Sequence, residues 1–256
     1  MKIVGCQLDI AWEDKETNHE HVRELLQQAS PASDSLIVLP EMFATGFSMN
    51  VGKIAEDQDR PTQDFLSKIA AEHHSFVLGG VVIRSKDGRG LNQAVVYSPS
   101  GGELARYSKM HPFSYAGETE HYAPGTGIET FACNSFVFAP FICYDLRFPE
   151  AFRAATRRGA QVLAVIANWP AAREDHWLSL LKARAIENQA YVIGINRCGF
   201  DPNHSYSGRS QAINPRGEIL SDAGSSQGWI QADLDLQELL SYRREFPALD
   251  DMRDDF

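Results

Sequence analysis

Residues 135–150 read SFVFAPFICYDLRFPE, an apolar run that stops at Cys143 with Tyr144, Asp145, Arg147 and Glu150 following at once. A thiol at the end of a buried strand, where a helix begins, meets backbone N–H groups without partners and the positive end of a helix dipole. Both effects lower a thiol pKa, and both can hold an oxyanion. The setting is mechanically that of a nucleophile elbow, although the serine pattern GxSxG is absent. Position alone leaves a second reading open, a small buried hydrophobe. A nucleophilic cysteine also needs a base. Glu41 follows the strand-like SLIVLP, and Lys109 ends ELARYSK. In α/β sheets functional groups gather at the carboxyl ends of strands. A carboxylate, an ammonium and a thiol at three such ends point to one site. Taken singly, Glu41 reads equally as a helix-capping or surface acid and Lys109 as a solvated lysine.

These residues need strands to deliver them. KIVGCQLD (2–9), SLIVLP (35–40), FVFAPFIC, QVLAVIAN (161–168) and YVIGINR (191–197) read as strands. VLAVIAN and FVFAPFIC are apolar on both sides of the pleat, the pattern of strands covered on both faces. SFVLGGVVI and NQAVVYS, parted by SKDGRG, predict a hairpin, and ELARYSKM follows the turn SPSGG. ETFAC precedes the opening strand across the turn Asn134–Ser135, GRSQAIN and EILSDA flank Pro215–Arg216–Gly217, and WIQADLD closes a sheet. Helices are predicted over 16–30, 62–74, 149–159, 174–189 and LQELLSYRREF. Pro149 fits a first turn and Gly159 a stop. Residues 111–126 show no period and read as a loop, and the acidic tail ALDDMRDDF as loosely held. No linker or repeat divides the 256 residues, which predicts one α/β domain over 1–256, with a C-terminal helix and acidic tail at about 235–256.

A net charge of −10 argues against nucleic acid or an anionic membrane as partner. The longest apolar stretches are far too short to span a bilayer. MKIVGCQLDIAWEDKE enters a strand with no apolar leader, so a cytoplasmic location and reduced thiols are expected for Cys6, Cys133, Cys143 and Cys198.

LPEMFATGFSM, YSKMHPF and FICYDLRFPE, in this order and spacing, resemble the three motifs of the nitrilase superfamily of carbon–nitrogen hydrolases, and the resemblance runs from Lys2 to about Phe246. It implies a four-layer αββα sandwich that dimerises into an extended sandwich, no metal and no organic cofactor. By the same resemblance Glu41 is the general base, Cys143 the nucleophile that forms a thioester, and Lys109 the oxyanion stabiliser, helped by the backbone N–H of Tyr144. Glu118 in AGETEHYAPG matches a second, orienting glutamate, with Glu120 the competing choice. A glutamate beside the lysine would stay ionised unless burial raised its pKa to a useful range.

IANWPAAREDHWLSLLKARAIENQAYVIGINRCG (166–199), with LPEMFATGFSM, resembles the omega-amidase branch. That implies hydrolysis of the terminal amide of 2-oxoglutaramate or 2-oxosuccinamate to the 2-oxo dicarboxylate and ammonia. Alternatives are another small amide or N-carbamoyl compound, or a non-catalytic binding member. A substrate carboxylate needs a cation. Arg173 is the first candidate, with Arg147 and Arg197 as alternatives, Arg147 fitting better an ion pair with Asp145 or Glu150. Phe43, Phe113, Tyr115, Tyr144 and Trp169 could wall the pocket or be plain core. His73–His74 read as a solvated helix end rather than a metal site. His111 raises a papain-like Cys–His pair that fits no such signature, and His176 reads as a packing or capping residue.

Overall fold

The structure is a computed structural model and describes residues 1–253. The first half of the chain forms β1 (Lys2–Gln7), α1 (Lys15–Ala29), β2 (Leu36–Val38), α2 (Val51–Ile54), α3 (Pro61–Glu72), β3 (Phe76–Arg84), β4 (Gly90–Tyr97), β5 (Glu103–Ser108) and α4 (Glu118–His121). The second forms β6 (Phe131–Cys133), β7 (Phe136–Ile142), α5 (Pro149–Arg157), β8 (Val162–Ala167), α6 (Glu174–Asn188), β9 (Tyr191–Asn196), β10 (Cys198–Phe200), β11 (Ser205–Ser207), β12 (Gln211–Ile213), β13 (Ile219–Asp222), β14 (Gly228–Asp233) and α7 (Leu236–Glu245).

Two six-stranded sheets result, in the orders β14-β1-β2-β3-β4-β5 and β13-β12-β9-β8-β7-β6. In each, three central strands run parallel (β1, β2, β3 and β7, β8, β9) and the flanking strands are antiparallel. Parallel neighbours need crossovers, and α1, α3, α5 and α6 supply them. One apolar cluster joins the inner faces: Ile3, Leu36, Val38 and Leu78 from the first sheet meet Phe138, Ile166, Ile193 and Ile195 from the second. Gly5 marks the closest approach, since a Cβ there would lie 2.1 Å from Cδ1 of Ile195. Val22, Leu25 and Leu26 of α1 and Phe65, Leu66 and Ile69 of α3 cover the outer face of the first sheet. Phe152, Ala155, Trp177 and Leu181 of α5 and α6 join the cluster of the second. The layering is therefore helix, sheet, sheet, helix, the expected αββα sandwich. Pro140 is accommodated within β7 because β6 pairs only with residues 136–138, leaving that edge open beyond them.

Some local expectations need correction. Residues 111–126 contain a 3₁₀ turn at Ser114–Ala116 and the single-turn α4, too short to show a period. Helix α2 and the hairpin β10–β11 were likewise not read from the pattern. The helix after Cys143 is a 3₁₀ segment, Cys143–Arg147, and α5 starts only at Pro149. The tail is held as far as described: the Arg153 guanidinium lies 3.5 Å from Sδ of Met252, and Arg157 donates to the carbonyl of Arg253 at 2.8 Å. Its last three residues lie outside the described ones. No helix among the described residues is long and apolar enough to cross a membrane.

Candidate active site

Four strand ends on one edge of the sandwich converge. Glu41 stands just beyond β2, and Met42 after it turns the chain at φ 45°. The turn presses against β3: Gly80 N–H donates to the Pro40 carbonyl at 3.2 Å. Lys109 follows β5, and its N–H extends the ladder to the Asn92 carbonyl at 2.9 Å. The following loop folds back, with Gly125 N–H on the Lys109 carbonyl at 2.8 Å, and returns Glu118 at the start of α4. Cys143 ends β7 at φ 47°, a left-handed conformation that costs a non-glycine residue about 1–3 kcal/mol and turns the side chain out of the strand's pleat.

Glu41 and Glu118 are wholly buried and Lys109 is 2% exposed. Lys109 Nζ lies 3.0 Å from Oε1 of Glu41 and 3.0 and 2.8 Å from Oε1 and Oε2 of Glu118. Burial works to deprotonate Lys109, but the charges of Glu118 and Glu41 outweigh it and hold its pKa above the ordinary lysine value. The ammonium is thus a fixed charge. Glu41 Oε1 also accepts from Asn92 Nδ2 at 2.7 Å, and Oε2 from the Asn168 N–H at 2.8 Å. Asn168 Nδ2 donates to the Glu41 carbonyl at 2.6 Å, so both side chain and backbone of Glu41 are gripped. Glu118 Oε2 accepts from the Phe113 N–H. Glu120 is exposed and takes no part.

Cys143 lies close enough for these charges to act on it. Burial pushes its thiol well above the ordinary value and Glu41 adds to the shift, while Lys109 and the Asn168 amide work against it. The lowered thiol pKa expected from the strand–helix junction is corrected: desolvation outweighs the few amides of a short 3₁₀ turn. Asp145 is fully buried and accepts from Ile142 N–H (3.0 Å), the Tyr107 hydroxyl (2.7 Å) and His111 N–H (3.0 Å), with His111 Nδ1 at 2.8 Å. His111 is therefore spent on Asp145 and stacks on Phe148 at 3.8 Å.

Above Cys143 opens a cleft with about 440 Å³ of empty space, part of it open to solvent, walled by Phe47, Phe113, Tyr144, Trp169, Tyr206, Asn168 and His204. Two guanidiniums reach it. Arg147 lies 4.8 Å over Trp169 and 5.8 Å over Tyr144, with Nη2 3.2 Å from His176 Nδ1. The ion pair of Arg147 with Asp145 or Glu150 is not formed, because Asp145 points inward to backbone and phenol donors. Arg173 stands over Phe113 at 5.6 Å and Tyr115 at 5.4 Å, and its carbonyl accepts from Trp169 Nε1 at 2.8 Å. Arg197 is instead fully buried on the carbonyls of Ile10, Cys198 and Phe200. Phe43 is core, packed against His19 and Phe65 and absent from the cleft walls. Tyr115 is 82% exposed at the rim. Phe47, Asn168, His204 and Tyr206 were not picked out from sequence. Only Asn168, a polar residue closing the apolar run VLAVIAN, carried a signal.

Comparison with known proteins gives the same picture at the level of the whole chain. The family model described as "Carbon-nitrogen hydrolase" matches residues 3–244. The chain is 34% identical over 254 residues to the 2-oxoglutaramate amidase of Bacillus subtilis (strain 168), covering 98% of each protein. It is 38% identical over 253 residues to the omega-amidase YafV of Yersinia enterocolitica, covering 98% of this chain and 96% of that one. It superposes with a TM-score of 0.94 and 31% identity on the crystal structure of XC1258 from Xanthomonas campestris, covering 100% of this chain and 98% of that one. That structure is described as a CN-hydrolase superfamily protein with an arsenic adduct in the active site.

Proposed function

The chain belongs to the carbon–nitrogen hydrolase family, and from that premise we propose that it hydrolyses the terminal amide of small 2-oxo acid amides such as 2-oxoglutaramate and 2-oxosuccinamate. The observation that carries the substrate class is the cleft over Cys143: two guanidiniums, Arg147 and Arg173, stand among aromatic walls, with no carboxylate among the described lining residues. Such a site favours an anionic chain end. The relatives named omega-amidase and 2-oxoglutaramate amidase support the same reading.

In the proposed mechanism Glu41 takes the proton of the Cys143 thiol, which burial keeps protonated at rest. The sulfur attacks the amide carbon, and the carbonyl electrons move to oxygen. Lys109 and the Tyr144 N–H stabilise that oxyanion. Collapse breaks the C–N bond, the nitrogen takes its proton from Glu41, and ammonia leaves a Cys143 thioester. Water, deprotonated by Glu41, attacks the thioester, and the 2-oxo dicarboxylate and the free thiol are regenerated. Glu118 holds Lys109 in place throughout. Arg173, with Arg147 beside it, takes the distal carboxylate.

The same proposal treats 1–256 as one catalytic domain, supported by the family match across 3–244. It includes a homodimer through the α5 and C-terminal segments. A cytoplasmic location is part of it, supported by four cysteines that carry no disulfide. Ammonia release from 2-oxoglutaramate is the test, with glutamine and a simple aliphatic amide as controls. Rapid turnover, lost in Cys143→Ala and accompanied by an acyl adduct on Cys143 in quenched wild type, is expected. Preference for glutamine or for the neutral amide would overturn the substrate assignment.

A further inference from the structure

Asn92 occupies an unusual position in the charge cluster. It lies on β4, is 2% exposed, and its uncharged amide faces the two glutamates. Its Nδ2 donates to Glu41 Oε1 at 2.7 Å and to Glu118 Oε1 at 3.1 Å. Its Oδ1 is buried and has no hydrogen-bond partner. A buried carbonyl without a partner is destabilising, and rotating the amide would only bring that oxygen against two carboxylates. The side chain is therefore held in this orientation by its NH2 group alone.

Lys109 is the single cation between the two carboxylates, and three of its contacts are to them. Two buried carboxylates packed on one ammonium repel each other, and hydrogen-bond donors are what offsets that repulsion. Asn92 is a neutral second donor to the same two oxygens. It stabilises both carboxylates without adding a charge that would hold Glu41 as tightly as a second lysine.

We infer that Asn92 is a positioning residue of the proposed reaction: by donating to Glu41 and Glu118 together it offsets the repulsion between the two carboxylates and holds Glu41 aimed at Cys143. This rests on the reading of Glu41 as base. The titratable groups that face Glu41 are Lys109 from the end of β5, Glu118 and Tyr122 from α4 and its end, and Cys143 from the end of β7, while Asn168 donates to the other carboxylate oxygen, Oε2. None of them replaces the donors lost with Asn92.

The test compares wild type, Asn92→Ala and Asn92→Leu, with Glu41→Gln as reference. Asn92→Leu keeps roughly the size of the side chain and removes the donors without adding a charge, so it decides the matter if Asn92→Ala fails to fold by circular dichroism. One readout is kcat/KM for ammonia release against pH. The other needs no substrate: the rate of Cys143 alkylation by iodoacetamide against pH, whose inflection from Glu41 is absent in Glu41→Gln. Loss of a hydrogen bond to a charged group corresponds to a rise of about one to two pH units in the acid limb and in that inflection. Activity lowered equally at every pH, or an inflection unmoved or missing in all proteins, overturns the role. Failure of the substrate reading shows separately, as a wild type inactive on 2-oxoglutaramate whose alkylation profile still moves in the Asn92 variants.

Discussion

Gly80 lies directly under Glu41: a Cβ at Gly80 would sit 2.4 Å from the Met42 nitrogen and 2.6 Å from the Glu41 Cα. Both are backbone atoms, which no rotamer change can move aside. Gly80→Ala should therefore lift the Glu41 turn off β3 and carry the carboxylate out of line with Cys143. Misplacement of a reacting group by about 1 Å costs roughly a hundredfold in rate. The expected result is a fall of that order in kcat with KM little changed. Gly127→Ala, where a Cβ meets nothing within 4 Å, should retain wild-type kcat and serves as the control.

Arg173 and Arg147 bring the only guanidiniums among the described lining residues of the cleft. If they take the carboxylate, Arg173→Leu should raise KM for 2-oxoglutaramate by about 10- to 100-fold, the equivalent of one charged hydrogen bond. KM for a neutral amide such as propionamide should move by less than about threefold. Equal losses on both substrates would assign Arg173 to the wall and not to recognition.

Asp145 joins two segments that carry the chemistry. Its carboxylate accepts from Ile142 N–H, one residue before Cys143, and from His111 N–H, two residues after Lys109. Asp145→Asn would turn an NH2 group toward donors that need an acceptor. The expected loss is about 3 kcal/mol of stability, read as a lower urea midpoint. Tyr107→Phe removes one neutral donor from the same carboxylate, bonded at 2.7 Å, and should cost about 1 kcal/mol.

Apolar runs with an abrupt end made β2 and β7 legible, and with them the placement of Glu41 and Cys143; Lys109 was reached as the end of the mixed strand ELARYS, and Asn168, though it closes an apolar run, was not picked out. Runs such as VLAVIA, buried along its whole length, showed strands covered on both faces, while the four-layer arrangement came from the family resemblance. What the sequence hid depends on contacts far along the chain. Phe43 stands two residues from Glu41, yet the turn at Met42 sends it to the helix-covered face instead of the cleft. Tyr206 and His204 enter the cleft from the short hairpin β10–β11, whose three-residue strands show no alternation. Asn92 is a neutral amide in a strand, and nothing local tells that its partners are 51 and 26 residues away. The thiol of Cys143 illustrates a competition of effects: the junction was visible, but the depth of burial that reverses the pKa shift was not.

His19 links the fold to acid stability. Its ring stacks on Phe65 at 4.1 Å, and its Nε2 is buried without a partner. Burial pushes its pKa from 6.5 down to about 4, with Lys15 and Arg23 adding to the effect and Glu56 opposing it. Above the ordinary value both the folded and the unfolded chain hold a neutral ring, and the shift has no effect on stability. Between 6.5 and about 4 the unfolded chain binds a proton that the folded chain resists, so stability falls as the pH falls through that window. The ring is partly exposed, so solvent screening reduces the effect to about 1 kcal/mol between neutral pH and pH 5. His73 is shifted in the same direction by burial and contributes with the same sign. Urea unfolding of wild type and His19→Phe at pH 7.5 and pH 5 isolates His19. The variant should lose about 1 kcal/mol less than wild type on acidification. An equal loss in both proteins would place the acid sensitivity elsewhere.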